Sequence, residues 1–214
     1  MHNELSYTFR WPQFLFFYCE TPAATGGETP IADSRTVLRS LDRDLVERFR
    51  ARKVMYVRRL EDDPDSEYSW QSAFETSDRA EVERFCAGGR VGFSWDSDGG
   101  LRLTEIRPAT AVHPVTSDEV WFNQAEGFHP SILGDDEYSA VLAAGTSDKL
   151  RLNAFFGDGG EFDFADLEHV RAVTRANMVP VRWRAGDVLV LDNVLACHGR
   201  MPFTGPRRVL VAMA

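Results

Sequence analysis

The stretch Gly186–Met213, GDVLVLDNVLACHGRMPFTGPRRVLVAM, holds two apolar runs of β type, Val188–Leu191 and Val209–Met213. Between them lies a polar loop containing Gly199, Pro202, Gly205 and Pro206, all turn residues. The pattern predicts two core strands joined by a loop, with His198 where the first run ends and Arg207 and Arg208 at the mouth of the second. A histidine and an arginine at the ends of neighbouring strands suit a metal ligand and an anion clamp. Taken alone the pattern decides little, because a lone histidine is more often a satisfied polar residue and an arginine pair is usually solvated.

The other end of the chain adds weight. Residues 2–4 are His2-Asn3-Glu4. On a strand, residues i and i+2 point to the same face, so one imidazole and one carboxylate would project together. Two histidines and a carboxylate with open positions make the facial triad that binds non-haem Fe(II) and leaves sites for a chelating co-substrate and O2. The same donors could hold zinc.

Composition sets the frame. A chain of 214 residues is read as a single domain, 1–214, able to bury a real core. A net charge of −9 offers no basic stripe, so nucleic acid is not expected as a partner. The three cysteines, Cys19, Cys86 and Cys197, show no CxxC spacing, which argues against a disulfide framework or structural zinc and for a reducing, cytoplasmic setting. No apolar run approaches a membrane span, and MHNELSYTFR lacks the apolar core of a secretory signal.

Along the chain, Phe14–Cys19 fits a buried strand and Thr21–Pro30 a loop turning at Gly26-Gly27. Asp33 or Ser34 can cap one or two amphipathic helices over residues 34–52, with Leu38, Leu41, Leu45 and Phe49 on one face. Lys53–Leu60 reads as a strand, Glu61–Glu67 as an acidic surface loop and WQSAF at Trp70 as a short helix. Asp78–Ala87 reads as a helix stopped by Gly88-Gly89. Val91–Trp95 and Leu101–Ile106 flank DSDGG as a hairpin. Glu119–Asn123 is a further strand, Asp163–Asn177 a helix, and Val179–Trp183 leads into the last pair. The mixture predicts an α+β fold, a β-sandwich or jelly roll with helices outside.

These motifs together resemble the Fe(II)/2-oxoglutarate-dependent TauD/TfdA dioxygenases, most closely the branch with SyrP-like enzymes of non-ribosomal peptide biosynthesis. The matching stretches are His2-Asn3-Glu4 with Ser6-Tyr7, GGETPIADSR (26–35), EVWFNQ (119–124) and Gly186–Met213. The resemblance implies a double-stranded β-helix (jelly-roll) core with flanking helices. It implies Fe(II) held by His2, Glu4 and His198, with 2-oxoglutarate as co-substrate and O2 as oxidant. Thr29 would hydrogen-bond a carboxylate of 2-oxoglutarate. Arg207 or Arg208 would pair with the distal carboxylate through a bidentate fork, and since strand neighbours point opposite ways only one should face the site; the reading leans to Arg208.

The implied reaction is oxidative decarboxylation of 2-oxoglutarate coupled to hydroxylation of an unactivated C–H bond in a small acid, an amino acid or a carrier-tethered natural-product intermediate of secondary metabolism. A carboxylate at Glu4 favours hydroxylation over halogenation, and Val211 and Ala212, where taurine-type members carry a further arginine, argue against taurine. Members of the family usually have a substantial segment before the H-x-E motif, so the chain is expected to be N-terminally short. That motivates the alternative of a non-catalytic or split-enzyme subunit, and a homo-oligomer would cover an exposed sheet edge.

The remaining candidates receive plainer readings. His113, His129 and His169 are expected to be structural or surface. Cys197 should point away from the metal. Trp121 and Phe122 suit core better than a substrate border, with Asn123 and Gln124 beside them. Asp187 and Asp192 either orient His198 or hold turns.

Overall fold

A computed structural model describes residues 1–144 and 150–214, apart from the side chains at 135 and 142. The elements begin with β1 (Phe14–Thr21), β2 (Thr25–Gly26), β3 (Thr29–Asp33), α1 (Ser34–Ser40), α2 (Arg43–Arg52), β4 (Val54–Leu60), α3 (Trp70–Phe74) and α4 (Arg79–Gly89). They continue with β5 (Gly92–Trp95), β6 (Leu101–Arg107), β7 (Thr110–Val112), β8 (Glu119–Trp121), α5 (Ala125–Phe128), a 3-10 turn (Pro130–Leu133), α6 (Asp135–Ala144) and β9 (Leu152–Phe156). The last are α7 (Phe164–Ala176), β10 (Val179–Val181), β11 (Val188–Asp192), β12 (Ala196–His198), β13 (Phe203–Thr204) and β14 (Arg208–Met213). The chain forms two compact units, one of Met1–Ala51, Pro108–Gln124 and Asp163–Ala214, the other of Arg52–Arg107 and Ala125–Phe162.

The first unit contains antiparallel sheets ordered β11-β1-β14 and β10-β3-β12, with the pairs β13-β2 and β7-β8. Strand β1 alternates with the period of two that a half-buried strand requires: Leu15, Phe17 and Cys19 are buried, while Phe14, Phe16 and Tyr18 are exposed. Its register, Leu15↔Leu191 on one side and Cys19↔Val209 on the other, corrects one expectation. The strands of the Gly186–Met213 stretch are not neighbours, because β1 lies between them. Nor are they wholly core: Leu191 is buried, whereas Val188 and Val190 stand 65% and 53% exposed on the outer face beside Phe16, Tyr18 and Leu210. The intervening loop also contains β12, which ends at His198 and joins the other sheet.

Strand β3 corrects a second expectation. Thr29 and Pro30 are strand, not loop; Pro30 lies opposite Pro180, and its carbonyl accepts from the Gly199 N–H at 3.0 Å. Asp33 caps α1 as its sequence suggests, accepting from the N–H groups of Arg35 and Thr36. The helix ends at Leu41, so the single apolar face expected over residues 38–49 is split, and Val37 rather than Leu38 is the buried apolar residue of α1. On α2, Leu45, Val46 and Phe49 face inward.

The second unit is built on an antiparallel sheet ordered β5-β6-β4-β9. The expected hairpin forms, with the Asp96 N–H donating to Gly100 O at 2.8 Å across its turn. Helix α4 starts on the Asp78 cap and stops one residue after the expected glycines, at Arg90, which takes a left-handed φ of 53°. Among the described residues no helix is long and apolar enough to cross a membrane.

Candidate metal centre

His2, Glu4 and His198 converge. Each offers one ligand atom, and the three atoms lie within 4.8 Å of one another. Glu4 Oε2 is 3.5 Å from His2 Nε2 and 3.8 Å from His198 Nε2. Adjacent donors of an octahedral ion with bonds of about 2.1 Å lie about 3 Å apart, so a small contraction closes this set on one metal. The convergence does not come from a continuous strand. His2 makes an isolated bridge to His198 and Glu4 lies in the turn that follows, so the expected strand geometry of H-x-E is replaced by a bridged residue and a turn.

The protonation states suit a metal. Burial, reinforced by His2, pushes the His198 imidazole down to about 4, which keeps it neutral near pH 7. The hydrogen bond from His2 holds the Glu4 carboxyl below the usual carboxylate range, against its own partial burial. A neutral imidazole and an ionised carboxylate are the donor forms a divalent cation needs. The Phe17 ring stands edge-on to His198 at 5.2 Å, screening that ligand. Among the described residues, His198 Nδ1 is buried without a hydrogen-bond partner.

Thr29 shares the face of His198. Its strand neighbour two residues on, Ile31, pairs with His198, and directly opposed residues of an antiparallel pair point the same way. The Thr29 hydroxyl is buried and accepts from Trp183 Nε1 at 3.0 Å, which leaves its own O–H to donate to a ligand. The sequence reading missed Trp183 because a tryptophan in a VRWRAGD run carries no local sign of its partner.

The two arginines part as strand alternation demands. Arg207 is half-buried; its Nε donates to Gly27 O at 3.0 Å, and burial pushes its pKa down. Gly27, at φ +74°, makes room: a Cβ there would stand 3.1 Å from Arg207 Cδ and 2.8 Å from Ala23 Cβ. Arg208 is exposed and pairs with Glu20 at 2.9 Å, away from the buried side of β1. Val209 sits opposite inward-facing Cys19, so Arg208, the arginine the sequence leaned to, faces out, and Arg207 is the one on the buried side.

The other candidates make contacts within the fold. His113 Nε2 meets Asp192 Oδ2 at 2.9 Å, while Asp192 Oδ1 accepts from the N–H groups of Val194 and Leu195, so this carboxylate holds a turn and does not touch His198. Asp187 holds the turn before β11 by accepting from the Arg184 N–H. His129 caps the 3-10 turn at Ser131, and His169 lies 3.7 Å from Asp42. Cys197 points to Ala32 O, away from the triad. Trp121 and Phe122 are buried, and Asn123 donates to Ala109 O. Gln124 has a role the sequence did not disclose: its Nε2 donates to Asn3 O at 2.8 Å and so braces the middle of the H-x-E motif.

The profile of the family described as "Taurine catabolism dioxygenase TauD, TfdA family" matches residues 1–213. The chain belongs to the TauD/TfdA family. It is 38% identical to the dapdiamide synthesis protein DdaC of Enterobacter agglomerans, over 99% of this chain and 64% of that protein. It is 34% identical to a clavaminate synthase-like protein of Arabidopsis thaliana, over 99% of this chain and 63% of that one. The chain thus spans under two thirds of the length of either relative. An asparagine oxygenase solved with Fe(II), 2S,3S-3-hydroxyasparagine and succinate superposes with a TM-score of 0.54 at 17% identity, over 98% of this chain and 47% of that one. The fold is α+β, with the double-stranded β-helix core and flanking helices that the resemblance implied.

Proposed function

We propose that this TauD/TfdA-family chain is an Fe(II)- and 2-oxoglutarate-dependent oxygenase, a single catalytic domain over residues 1–214 that hydroxylates an unactivated C–H bond. The observation that carries the reading is the convergence of His2, Glu4 and His198 within 4.8 Å. When bound, iron and the keto acid supply the activation of O2, the keto acid ending as succinate and CO2.

The chain's own residues do the rest. His2, Glu4 and His198 hold the metal and leave the remaining positions open. The Thr29 hydroxyl donates to one carboxylate of 2-oxoglutarate, and the Arg207 guanidinium takes the other through its planar fork. Glu4 fills the place a halide would need, which supports hydroxylation over halogenation. The substrate is a small acid, an amino acid or a carrier-tethered intermediate; the likeness to DdaC, a dapdiamide synthesis protein, supports a biosynthetic setting.

Cytoplasmic residence is supported by three free, buried cysteines, and the net charge of −9 supports a partner set without nucleic acid. Homo-oligomerisation is supported by the outer face of the β11-β1-β14 sheet, where Phe14, Phe16, Tyr18, Val190 and Leu210 stand exposed together. The same face favours the second reading, a non-catalytic or split-enzyme subunit that another polypeptide completes.

Succinate release in the presence of Fe(II), 2-oxoglutarate and O2 tests the proposal. Release that requires iron and vanishes in His198→Ala is expected; iron-independent or absent turnover in a folded sample overturns it in favour of the subunit reading.

A further inference from the structure

The sequence GDVLVLDN closes on Asn193, which is fully buried directly after β11. Each of its main-chain and side-chain polar groups is spent on one segment. Its Oδ1 accepts from the Glu4 N–H at 2.6 Å, and its Nδ2 donates to Glu4 O at 3.0 Å and to Pro12 O at 2.8 Å. Its own N–H donates to Gln13 O at 2.8 Å, and its carbonyl accepts from Asn3 Nδ2 at 2.6 Å. One carboxamide therefore binds both backbone polar groups of Glu4, as a neighbouring strand would.

Glu4 needs such a hold. It lies in a turn, and Leu5 immediately after it has φ 54°, a left-handed conformation that a branched L-residue adopts at a cost. His2 is held differently, by two backbone hydrogen bonds to His198, so the histidine ligands do not depend on Asn193 for their alignment with each other. Asn193 is itself fixed by the preceding residue, for Asp192 bonds the Val194 and Leu195 N–H groups and His113.

We infer that Asn193 is a positioning residue of the metal centre, which acts by clamping the Glu4 backbone and so aiming the Glu4 carboxylate at the ion. The inference rests on the metal reading of the triad. Supports that orient a ligand typically contribute 10–100-fold to metal affinity. A merely structural asparagine would weaken the fold without being coupled to Glu4.

The test is a double-mutant cycle on the full chain with Mn(II) as the probe, free Mn(II) being counted by electron paramagnetic resonance and folding followed by circular dichroism. Asn193→Ala is expected to weaken Mn(II) binding at least about 10-fold. In the Glu4→Ala background, titrated at millimolar Mn(II) to follow the weak binding that His2 and His198 retain, the same substitution is expected to change binding by less than about twofold, since the ligand it aims is gone. Should Asn193→Ala not fold, Asn193→Ser, which keeps a hydroxyl acceptor for the Glu4 N–H, enters the same cycle with the same expected coupling. Unchanged affinity in the single variant, or an equal loss with and without the Glu4 carboxylate, would overturn the positioning role while leaving the metal site standing. No Mn(II) binding by the unsubstituted chain, or binding indifferent to His198→Ala, would overturn the metal reading and this role with it.

Discussion

His2 and His198 are bonded to each other twice through their backbones, each N–H donating to the other's carbonyl at 2.8 Å, while their rings lie 4.4 Å apart. Residues almost two hundred positions apart are thus joined by main-chain bonds that a substitution to alanine does not remove. His2→Ala is expected to abolish tight metal binding while leaving stability within about 0.5 kcal/mol, since the lost side chain is 38% exposed. Thermal unfolding and Mn(II) titration of the same sample check this.

The pH dependence follows from the buried ligand. The His198 imidazole, pushed down to about 4 chiefly by burial, stays neutral in the folded protein where the unfolded chain takes up a proton near 6.5. Between those values the unfolded state binds more protons, so the stability of the metal-free protein falls as pH falls from about 6.5 to about 4. The lowered Glu4 carboxyl acts in the same sense below the usual carboxylate range. The His198 contribution is at most about 3 kcal/mol. Urea midpoints across this window are expected to decline more steeply for the unsubstituted protein than for His198→Gln; parallel curves would contradict the burial argument.

The arginine pair gives an asymmetric expectation. Arg207→Ala is expected to weaken anaerobic 2-oxoglutarate binding by 10-fold or more, about 1.4 kcal/mol, and Arg207→Lys to recover little of it, because a point charge does not replace a fork. Arg208→Ala is expected to leave that affinity unchanged and to cost stability no more than about 1 kcal/mol, the range of an exposed ion pair such as Arg208–Glu20. Equilibrium titration of 2-oxoglutarate against each variant decides.

Gly27→Ala probes the same place from the backbone. A side chain at φ +74° is strained, and its Cβ would crowd Ala23, Phe203 and the Arg207 stem. A loss of about 1–3 kcal/mol is expected, together with weakened 2-oxoglutarate binding as Arg207 is displaced. Denaturant unfolding and the same titration read the two effects.

What could be read in the sequence was local. Asp33 before an amphipathic run and a DG step between two apolar runs are signals whose partners lie within a few residues, and both elements form as expected. That His2, Glu4 and His198 come together could be expected because they sit in short motifs at the two ends of the chain. Strand order was not, since nothing in Val188–Leu191 or Val209–Met213 tells that Phe14–Thr21 enters between them. Thr29-Pro30 read as loop because proline breaks most strands, yet Pro30 and Pro180, neither of which has an N–H to give, face each other in a short pairing. Asn193 and Gln124 read as ordinary polar residues, because their partners at Glu4 and Asn3 lie more than a hundred positions away.

The most direct measurement is an anaerobic titration of the purified chain with Fe(II) and 2-oxoglutarate, followed through the weak visible metal-to-ligand charge-transfer band. The expected result is a saturable band that is absent in His198→Ala and weakened in Arg207→Ala but not in Arg208→Ala. No band from a well-folded sample would contradict the assignment of His2, Glu4 and His198 as a working iron site.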